Sequence, residues 1–106
     1  MVRRGDIWLA NLDPTVGSEI KKTRPCVVVS PQEMLDALRT VIVAPMTTGS
    51  SPAPFRVPIT FQRKRGLILL DQIRTLDQVR LVRRLGAAGQ KSIATVLQTL
   101  QEMFAI

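Results

Sequence analysis

The sequence of 106 residues contains no histidine, no tyrosine and only one cysteine. Without histidine, neither a histidine-pair acid–base mechanism nor a Ser-His or Cys-His nucleophile is available. One cysteine and no histidine cannot supply the ligands of a zinc site, and the carboxylates are scattered. The lone thiol, Cys26, lies in an apolar run, which is typical of a buried side chain in a reducing compartment. We therefore expect a function that requires neither a metal nor a cofactor.

Long apolar runs and acidic residues are also scarce. No run approaches the roughly 18 apolar residues of a membrane span, and the first residues lack an apolar signal segment, so we expect a cytoplasmic protein. Fifteen lysines and arginines against eight acidic residues give a formal net charge of +7. This balance favours a polyanionic partner, either nucleic acid or an acidic protein. The length fits a single domain over residues 1–106.

Short apolar runs separated by turn residues predict a mainly β fold. Strands are expected over Ile7–Leu12, Pro25–Ser30 and Thr40–Met46. The second of these runs is continuously apolar, as in a strand buried on both faces. Residues Phe55–Phe61 alternate between apolar and polar with a period of two, and Pro58 indicates that this strand lies at an edge.

The remaining β pattern predicts one continuous strand over Leu67–Leu76 and another over Val79–Leu85. Gln62–Gly66 is expected to form a basic turn before the first of them. Five or six short strands followed by a helix indicate a small, strongly bent antiparallel sheet or open barrel.

Two helices are expected. Pro31–Leu38 follows Ser30, which is a suitable N-cap, and Glu33 would complete a capping box with it. Apolar residues recur at steps of three and four over Ile93–Phe104, so we expect an amphipathic helix at the end of the chain.

Candidate functional residues lie at the ends of the predicted strands. The polar loop Ser18–Pro25 contains Arg24, whose planar guanidinium suits a phosphate if a strand holds it in place. Thr47 and Thr48 follow another strand, and their hydroxyls can donate hydrogen bonds to phosphate. Asp71 interrupts an apolar run, so we expect a buried carboxylate with an arginine partner. A solvated loop, ordinary loop chemistry and a purely structural ion pair would also explain these patterns.

Three further features have both a structural and a functional interpretation. Glu19 is either a solvated loop charge or part of a site. Arg63–Arg65 is either a solvated turn or a segment that binds the phosphate backbone of a nucleic acid. Trp8 lies within an apolar run and is expected in the core or an interface.

Five sequence blocks stand in order along nearly the whole chain: Arg4–Trp8, Leu12–Glu19, Thr23–Pro25, Ala44–Thr48 and Leu69–Thr75. Together they resemble the MazF/PemK toxins of bacterial toxin–antitoxin pairs. Five blocks in the same order are far more specific than any one of them. The resemblance implies an α+β fold, namely a small SH3-like barrel of the CcdB/PemK type with a C-terminal amphipathic helix.

The resemblance also implies a homodimeric endoribonuclease toxin that cuts single-stranded RNA at short sequences without a metal. The 2′-hydroxyl would attack the adjacent phosphate and leave a 2′,3′-cyclic phosphate and a 5′-hydroxyl. Arg24 and Thr47 match the residues that carry the reaction, and Glu19 and Asp71 match family carboxylates. Either carboxylate would accept the proton if it were buried, since an arginine stays charged and makes a poor base.

Three positions depart from the family pattern. Ser18 stands where some members have histidine, and Leu69 stands where some have arginine. Ile20 replaces the glutamine that often follows the loop glutamate. These changes remove any mechanism that depends on a histidine or a second strand arginine, but they leave the Arg24 and Thr47 positions intact.

RNA binding is expected in the loops around this pair. The implied RNA-binding residues are Ser18, Lys21, Lys22, Thr23, Thr48, Phe55, Arg56, Gln72 and Arg74. Since the chain has only three phenylalanines and one tryptophan, base recognition should depend on hydrogen bonds and loop shape. The expected partners are single-stranded RNA, a second copy of the chain and an acidic antitoxin with a disordered tail. A CcdB-like toxin that poisons DNA gyrase and a non-catalytic nucleic-acid-binding barrel are the alternatives.

Overall fold

A strongly curved sheet accounts for most of the computed structural model, which describes residues 1–106. The strands are β1 Asp6–Asn11, β2 Thr23–Val28, β3 Thr40–Thr47, β4 Arg56–Phe61, β5 Lys64–Leu69, β6 Arg74–Asp77 and β7 Leu81–Ala87. The helices are α1 Gln32–Ala37 and α2 Gln90–Met103, and single 3-10 turns cover Leu70–Gln72 and Gln78–Arg80. The predicted fold class, an α+β fold with a small, mainly β barrel and a C-terminal helix, is confirmed, and the sheet forms a curled half-barrel. Neither helix combines the length and the apolar character needed to cross a membrane.

Strand β3 joins the two halves of this sheet. The strand order is β4-β5-β3-β2-β1-β7, with β6 also paired to β3, and every pair is antiparallel. The body of β3 pairs with β2 up to Pro45, whereas its last two residues, Met46 and Thr47, pair with β5. The sheet therefore curls at Pro45, and a gap opens between the end of β3 and the start of β2.

Two apolar clusters pack against the two faces of the central strands. The first comprises Ile7, Val27, Val29, Ala44, Met46, Val57, Ile59, Ile68, Leu70 and Val96. The second comprises Ala10, Leu12, Cys26, Val28, Leu35, Val41, Val43 and Leu76. Because β2 contributes alternate residues to each cluster, the prediction that it is buried on both faces is confirmed. Trp8 is half-buried against the second cluster, as expected for a core residue.

The predicted positions of the edge strand and of the C-terminal helix are confirmed. Strand β4 lies at one edge of the sheet, where Pro58 is exposed and removes no hydrogen bond from an inner ladder. Helix α2 buries Val96 completely in the first cluster, with Ile93 and Leu100 packed around it. The helix begins three residues before the predicted Ile93.

The prediction of one strand over Leu67–Leu76 is wrong. The 3-10 turn at Leu70–Gln72 divides it into β5, which pairs with β4 and the end of β3, and β6, which pairs with the start of β3. The change from a continuous apolar run to an alternating one marks this change of partner. The turn also places Asp71 at the surface, so the carboxylate expected to be buried is only partly covered, with 27% of the side-chain surface accessible.

The basic turn is shorter than predicted. Only Gln62 and Arg63 form it, both with positive φ (51° and 64°), as in the two-residue turns that suit the twist of a hairpin. Lys64 already belongs to β5 and pairs with Phe61. Charged side chains are compatible with an exposed edge hairpin, and this explains why composition alone misplaced the boundary.

The predicted capping box of the first helix is also wrong. Pro31 occupies the N-cap position and makes no side-chain cap hydrogen bond. Ser30 is buried, and its Oγ instead accepts a hydrogen bond from the Ile42 amide at 2.6 Å. Glu33 remains in the first turn without reaching Ser30. The Ser30 hydroxyl is therefore used in a hydrogen bond to β3 and is not available to cap the helix. The strand predicted over Val79–Leu85 begins two residues later, because a 3-10 turn precedes it.

Candidate active site

Arg24 and Thr47 line the same cavity, which has a volume of about 230 Å³. Both lie two residues beyond Cys26 and Pro45, the last pair of the β2–β3 ladder, at the same end of these strands. Since the end of β3 turns away to β5, the cavity occupies the gap that this leaves. Its other lining residues are Pro25, Met46, Thr48, Ile59, Phe61, Gln62, Lys64 and Gly66.

The guanidinium of Arg24 is fixed at one nitrogen and free at the other two. Its Nε donates to the backbone carbonyl of Lys21 at 3.0 Å, whereas Nη1 and Nη2 make no hydrogen bond within the protein. The two ion pairs of the structure involve other arginines, so no carboxylate neutralises Arg24. With Lys64 as a second cation, the cavity is positively charged and suits a phosphate.

Thr47, which lines the same cavity, is held in place by its neighbours. Its Oγ1 accepts a hydrogen bond from the Gly49 amide at 3.2 Å, which leaves the hydroxyl proton available to a ligand. Its backbone pairs with Leu67 of β5. A Cβ on Gly66 would come within 2.8 Å of the Thr47 carbonyl oxygen, so only glycine permits this close approach of the two strands.

A second cavity of about 470 Å³ brings together five of the residues predicted from the sequence. These are Ser18, Glu19, Asp71, Gln72 and Arg74, with Ile20 and Ile73 completing the lining. Glu19 and Asp71 therefore do not line the cavity of Arg24 and Thr47. The loop between β1 and β2 lines only this second cavity, whereas Arg24 and Pro25 at the start of β2 line the first.

Asp71 has the arginine partner expected for it. Its two carboxylate oxygens accept hydrogen bonds from Nε and Nη2 of Arg56 at 3.3 and 3.2 Å. The hydrogen bond to Asp71 raises the pKa of Arg56 above its usual value. Arg56 also lies over the ring of Phe55, 5.7 Å from its centroid, at the range of a cation–π contact. Phe55, Arg56 and Asp71 thus form one local unit beside the second cavity.

Glu19 closes the β1–β2 loop on itself. Its Oε1 accepts from the Val16 amide at 2.6 Å, and its own amide donates to the Val16 carbonyl at 3.1 Å. The second carboxylate oxygen of this exposed residue has no partner within the protein. Lys21, Lys22 and Thr23 are exposed further along the same loop.

Two basic residues that the sequence assigns to a turn, Lys64 and Arg65, belong to β5, and each of them lines a cavity. Lys64 lines the cavity of Arg24, and Arg65 lines a third cavity of about 380 Å³ on the other side of the hairpin. Thr48 borders both of these cavities. Because side chains alternate between the two faces of a strand, a strand prediction here would have placed Lys64 and Arg65 on opposite faces. The prediction of a turn over Gln62–Gly66 did not allow this inference.

Cys26 and the acidic residues offer neither a nucleophile nor a metal site. Burial raises the pKa of the Cys26 thiol to about 12, so the group stays protonated at neutral pH. No three side chains among cysteine, aspartate and glutamate converge closely enough to hold a metal ion.

The fold and the cavity lined by Arg24 and Thr47 define a class of protein, namely a small basic half-barrel that can bind an anion through an arginine and a hydroxyl. Comparisons with known proteins narrow this class. A sequence profile of PemK-like, MazF-like toxins of type II toxin–antitoxin systems matches residues 3–104. The chain is 40% identical over 102 residues to the endoribonuclease MazF of Staphylococcus epidermidis, covering 91% of this chain and 85% of that protein.

Solved structures agree with this match. The crystal structure of MazF from Deinococcus radiodurans has a TM-score of 0.84 and 26% identity, with 96% of this chain and 94% of that one covered. A mycobacterial endoribonuclease in complex with its cognate antitoxin has a TM-score of 0.83 and 19% identity, with 100% and 97% covered. The chain therefore belongs to the PemK/MazF family of type II toxins, and the resemblance seen in the sequence is confirmed.

Proposed function

We propose that this chain is a toxin that cleaves single-stranded RNA at specific short sequences, and that an antitoxin neutralises it. The chain is an endoribonuclease, as its 40% identity to the staphylococcal enzyme over most of its length indicates. The observation that carries the finer proposal is the cavity that Arg24 and Thr47 both line and that contains no neutralising carboxylate.

The scissile phosphate would lie between Arg24 and Thr47. The free Nη1 and Nη2 of Arg24 would contact its non-bridging oxygens, and the hydroxyl of Thr47 would donate to one of them. As the 2′-oxygen bonds to phosphorus and the bond to the 5′-oxygen breaks, negative charge accumulates on these oxygens. Donors already aimed at them therefore lower the barrier. The products are a 2′,3′-cyclic phosphate and a 5′-hydroxyl, and the leaving oxygen takes up a proton from water.

Glu19 and Asp71 line the second cavity and not the one that would hold the scissile phosphate, so a water molecule rather than either carboxylate would accept the proton of the 2′-hydroxyl. Both oxygens of Asp71 are in addition engaged by Arg56. In this assignment Asp71 holds Arg56 beside the RNA. An RNA strand that crosses from the second cavity to the first would pass the loop that carries Glu19.

Incubation of the protein with single-stranded RNA in excess EDTA tests the reaction. Cleavage should persist, and the fragments should carry 2′,3′-cyclic phosphate and 5′-hydroxyl ends by mass spectrometry, because the proposed chemistry uses no metal ion. Loss of cleavage in EDTA and its recovery with Mg²⁺ would contradict the proposal. Primer extension on a long RNA would then identify the sequence that is cut.

Arg65 and Arg63 provide a matched test of the RNA path. Arg65 lines the cavity next to Thr48, whereas Arg63 lies at the hairpin turn and lines neither of the cavities that Thr48 borders. We expect Arg65→Gln to weaken binding of a 2′-O-methylated RNA several-fold and to reduce the slope of log Kd against log salt by about 0.7, the value for one lost contact to a single strand. Arg63→Gln should change neither quantity. Equal effects of the two substitutions would show that RNA responds to the overall positive charge of the protein and not to a specific contact with Arg65.

The proposed protein partners are an acidic antitoxin segment and a second copy of the chain. A net charge of +7 favours an acidic, disordered tail that folds as it binds. The solved mycobacterial relative is itself bound to an antitoxin. Native mass spectrometry of the toxin alone tests the homodimer, and purification from the native host tests the partner. A spectrum that shows only monomer would contradict the homodimer. Purification that recovers no small acidic protein would contradict the antitoxin partner.

The gyrase-poisoning alternative has no support among the relatives described above, which are MazF-type toxins. The RNA assay separates the remaining possibilities, because a gyrase poison or a simple RNA-binding barrel would leave the RNA whole.

A further inference from the structure

Gln72 attaches the middle of the β1–β2 loop to the body of the protein. Its Oε1 accepts a hydrogen bond from the Ile20 amide at 2.6 Å. Between residues 14 and 20 this is the one hydrogen bond to a residue outside the loop, because the others join loop residues to each other. The Ile20 side chain packs against the second apolar cluster at the same point. The loop is therefore anchored at Ile20.

The position of Gln72 is itself determined by the fold. It ends the 3-10 turn between β5 and β6, and it is half-buried. Leu70, at the start of the turn, is completely buried, and Ile73 packs against the first cluster. Asp71, between them, is tied to Arg56. The acceptor oxygen is thus presented from a rigid element.

This anchor is connected to Arg24 through one peptide unit. Lys21 follows Ile20, and its carbonyl accepts the hydrogen bond from Nε of Arg24. Lys22 then has a positive φ of 72°, and its amide donates to Asp13, so the chain turns sharply before β2. The Lys21 carbonyl shares a peptide plane with the Lys22 amide, so Asp13 holds this plane on one side and the Ile20 anchor holds the chain on the other. Without the anchor at Ile20 the plane is held on one side only, and the orientation of the guanidinium is less well fixed.

We infer that Gln72 is a positioning residue, which orients the Arg24 guanidinium by holding Ile20 and hence the Lys21 carbonyl in place. The inference rests on the proposed function of Arg24. It differs from the direct contact between Gln72 and RNA that the sequence suggested, because the oxygen of the carboxamide is already used inside the protein. A misplacement of about 1 Å at a catalytic group can cost on the order of a hundredfold in rate.

Two substitutions of similar size separate positioning from direct contact. Gln72→Glu keeps an acceptor oxygen for the Ile20 amide and loses the amide donor, whereas Gln72→Met keeps the length and loses the acceptor. If Gln72 positions Arg24, Gln72→Met should lower single-turnover kcat about 10- to 100-fold, and Gln72→Glu should preserve most of it. If Gln72 instead reads RNA with its amide donor, both variants should raise KM or alter the cut sequence with kcat unchanged. That result would overturn the inference.

Hydrogen exchange provides a readout that does not depend on cleavage. The Ile20 amide should exchange faster in Gln72→Met than in the parent or in Gln72→Glu, while the Tm of each variant reports on the fold. The Arg24→Ala variant separates the positioning role of Gln72 from the catalytic role of Arg24. If Arg24→Ala is inactive and Gln72→Met keeps its full kcat, the positioning role alone is wrong. If Arg24→Ala remains active, the catalytic role of Arg24 is wrong and the positioning role of Gln72 fails with it, whereas the proposed function itself fails only if the parent protein leaves RNA uncut.

Discussion

Substitution of Arg24 by alanine is expected to reduce RNA cleavage by at least a hundredfold and to leave the fold intact. The guanidinium is the only charged group of its cavity besides Lys64, and its Nη1 and Nη2 are free to meet the phosphate. Removal of one preorganised donor to a developing oxyanion typically costs 10²–10³ in kcat, or about 2.7–4 kcal/mol. The fold should survive because the half-buried side chain makes a single hydrogen bond, to Lys21. Single-turnover cleavage and thermal unfolding measure the two effects.

Arg24→Lys refines this expectation. Lysine keeps the charge but lacks the planar fork and the Nε that donates to Lys21, so we expect activity well below that of the parent. Arg63→Ala is the matched control, since Arg63 is exposed at the hairpin turn and does not line the cavity. Full activity of Arg24→Ala, or an equal loss in Arg63→Ala, would remove Arg24 from the reaction.

Substitution of Gly66 by alanine is expected to destabilise the protein and to impair catalysis together. The added Cβ would lie 2.8 Å from the Thr47 carbonyl oxygen, and backbone cannot yield as a flexible side chain would. Either β5 or the end of β3 must move, at a cost of about 1–3 kcal/mol typical of overpacking. For a domain of this size each kcal/mol lowers Tm by about 4–8 °C. Because Thr47 moves with its backbone, kcat should fall as well.

Gly49→Ala is the control for this prediction. Gly49 also contacts Thr47, but a Cβ there would lie 3.9 Å from the threonine Oγ1, which is ordinary van der Waals contact. Its amide, which donates to the same Oγ1, is retained. Stability should therefore change by no more than about 0.5 kcal/mol. Differential scanning calorimetry and cleavage assays on both variants test the contrast, and unchanged Tm and kcat in Gly66→Ala would refute it.

Much of the fold could be predicted because the relevant signals are local. Period-two alternation in Phe55–Phe61, a continuous apolar run before Ser30 and the helical period after Ile93 each depend on neighbouring residues only. The errors arose where a distant strand decided the outcome. Ser30 bonds to the Ile42 amide instead of capping a helix. The run from Leu67 to Leu76 changes its partner strand at a 3-10 turn, and although the apolar run gives way to alternation there, the new pairing is with a segment far away in the chain.

The candidate site divides in the same way. Residue types and their order in the sequence indicate Arg24, Thr47, Glu19 and Asp71 as candidates, but the distances between these residues depend on how the sheet curls. The curl at Pro45 places Arg24 and Thr47 around one cavity, whereas Glu19 and Asp71 line another.

The amino-acid sequence by itself determined the chemistry that is available here: no histidine, a buried and inert thiol, an excess of arginine and lysine, and two threonines at the end of a strand. Only the tertiary structure decided which of these groups meet. Strand β3 pairs with β2 over most of its length and with β5 at its end, and the gap between those pairings gives Arg24 and Thr47 a common cavity. The physical reason is that side-chain type is a local property, whereas convergence depends on hydrogen-bonded pairing between segments far apart in the chain.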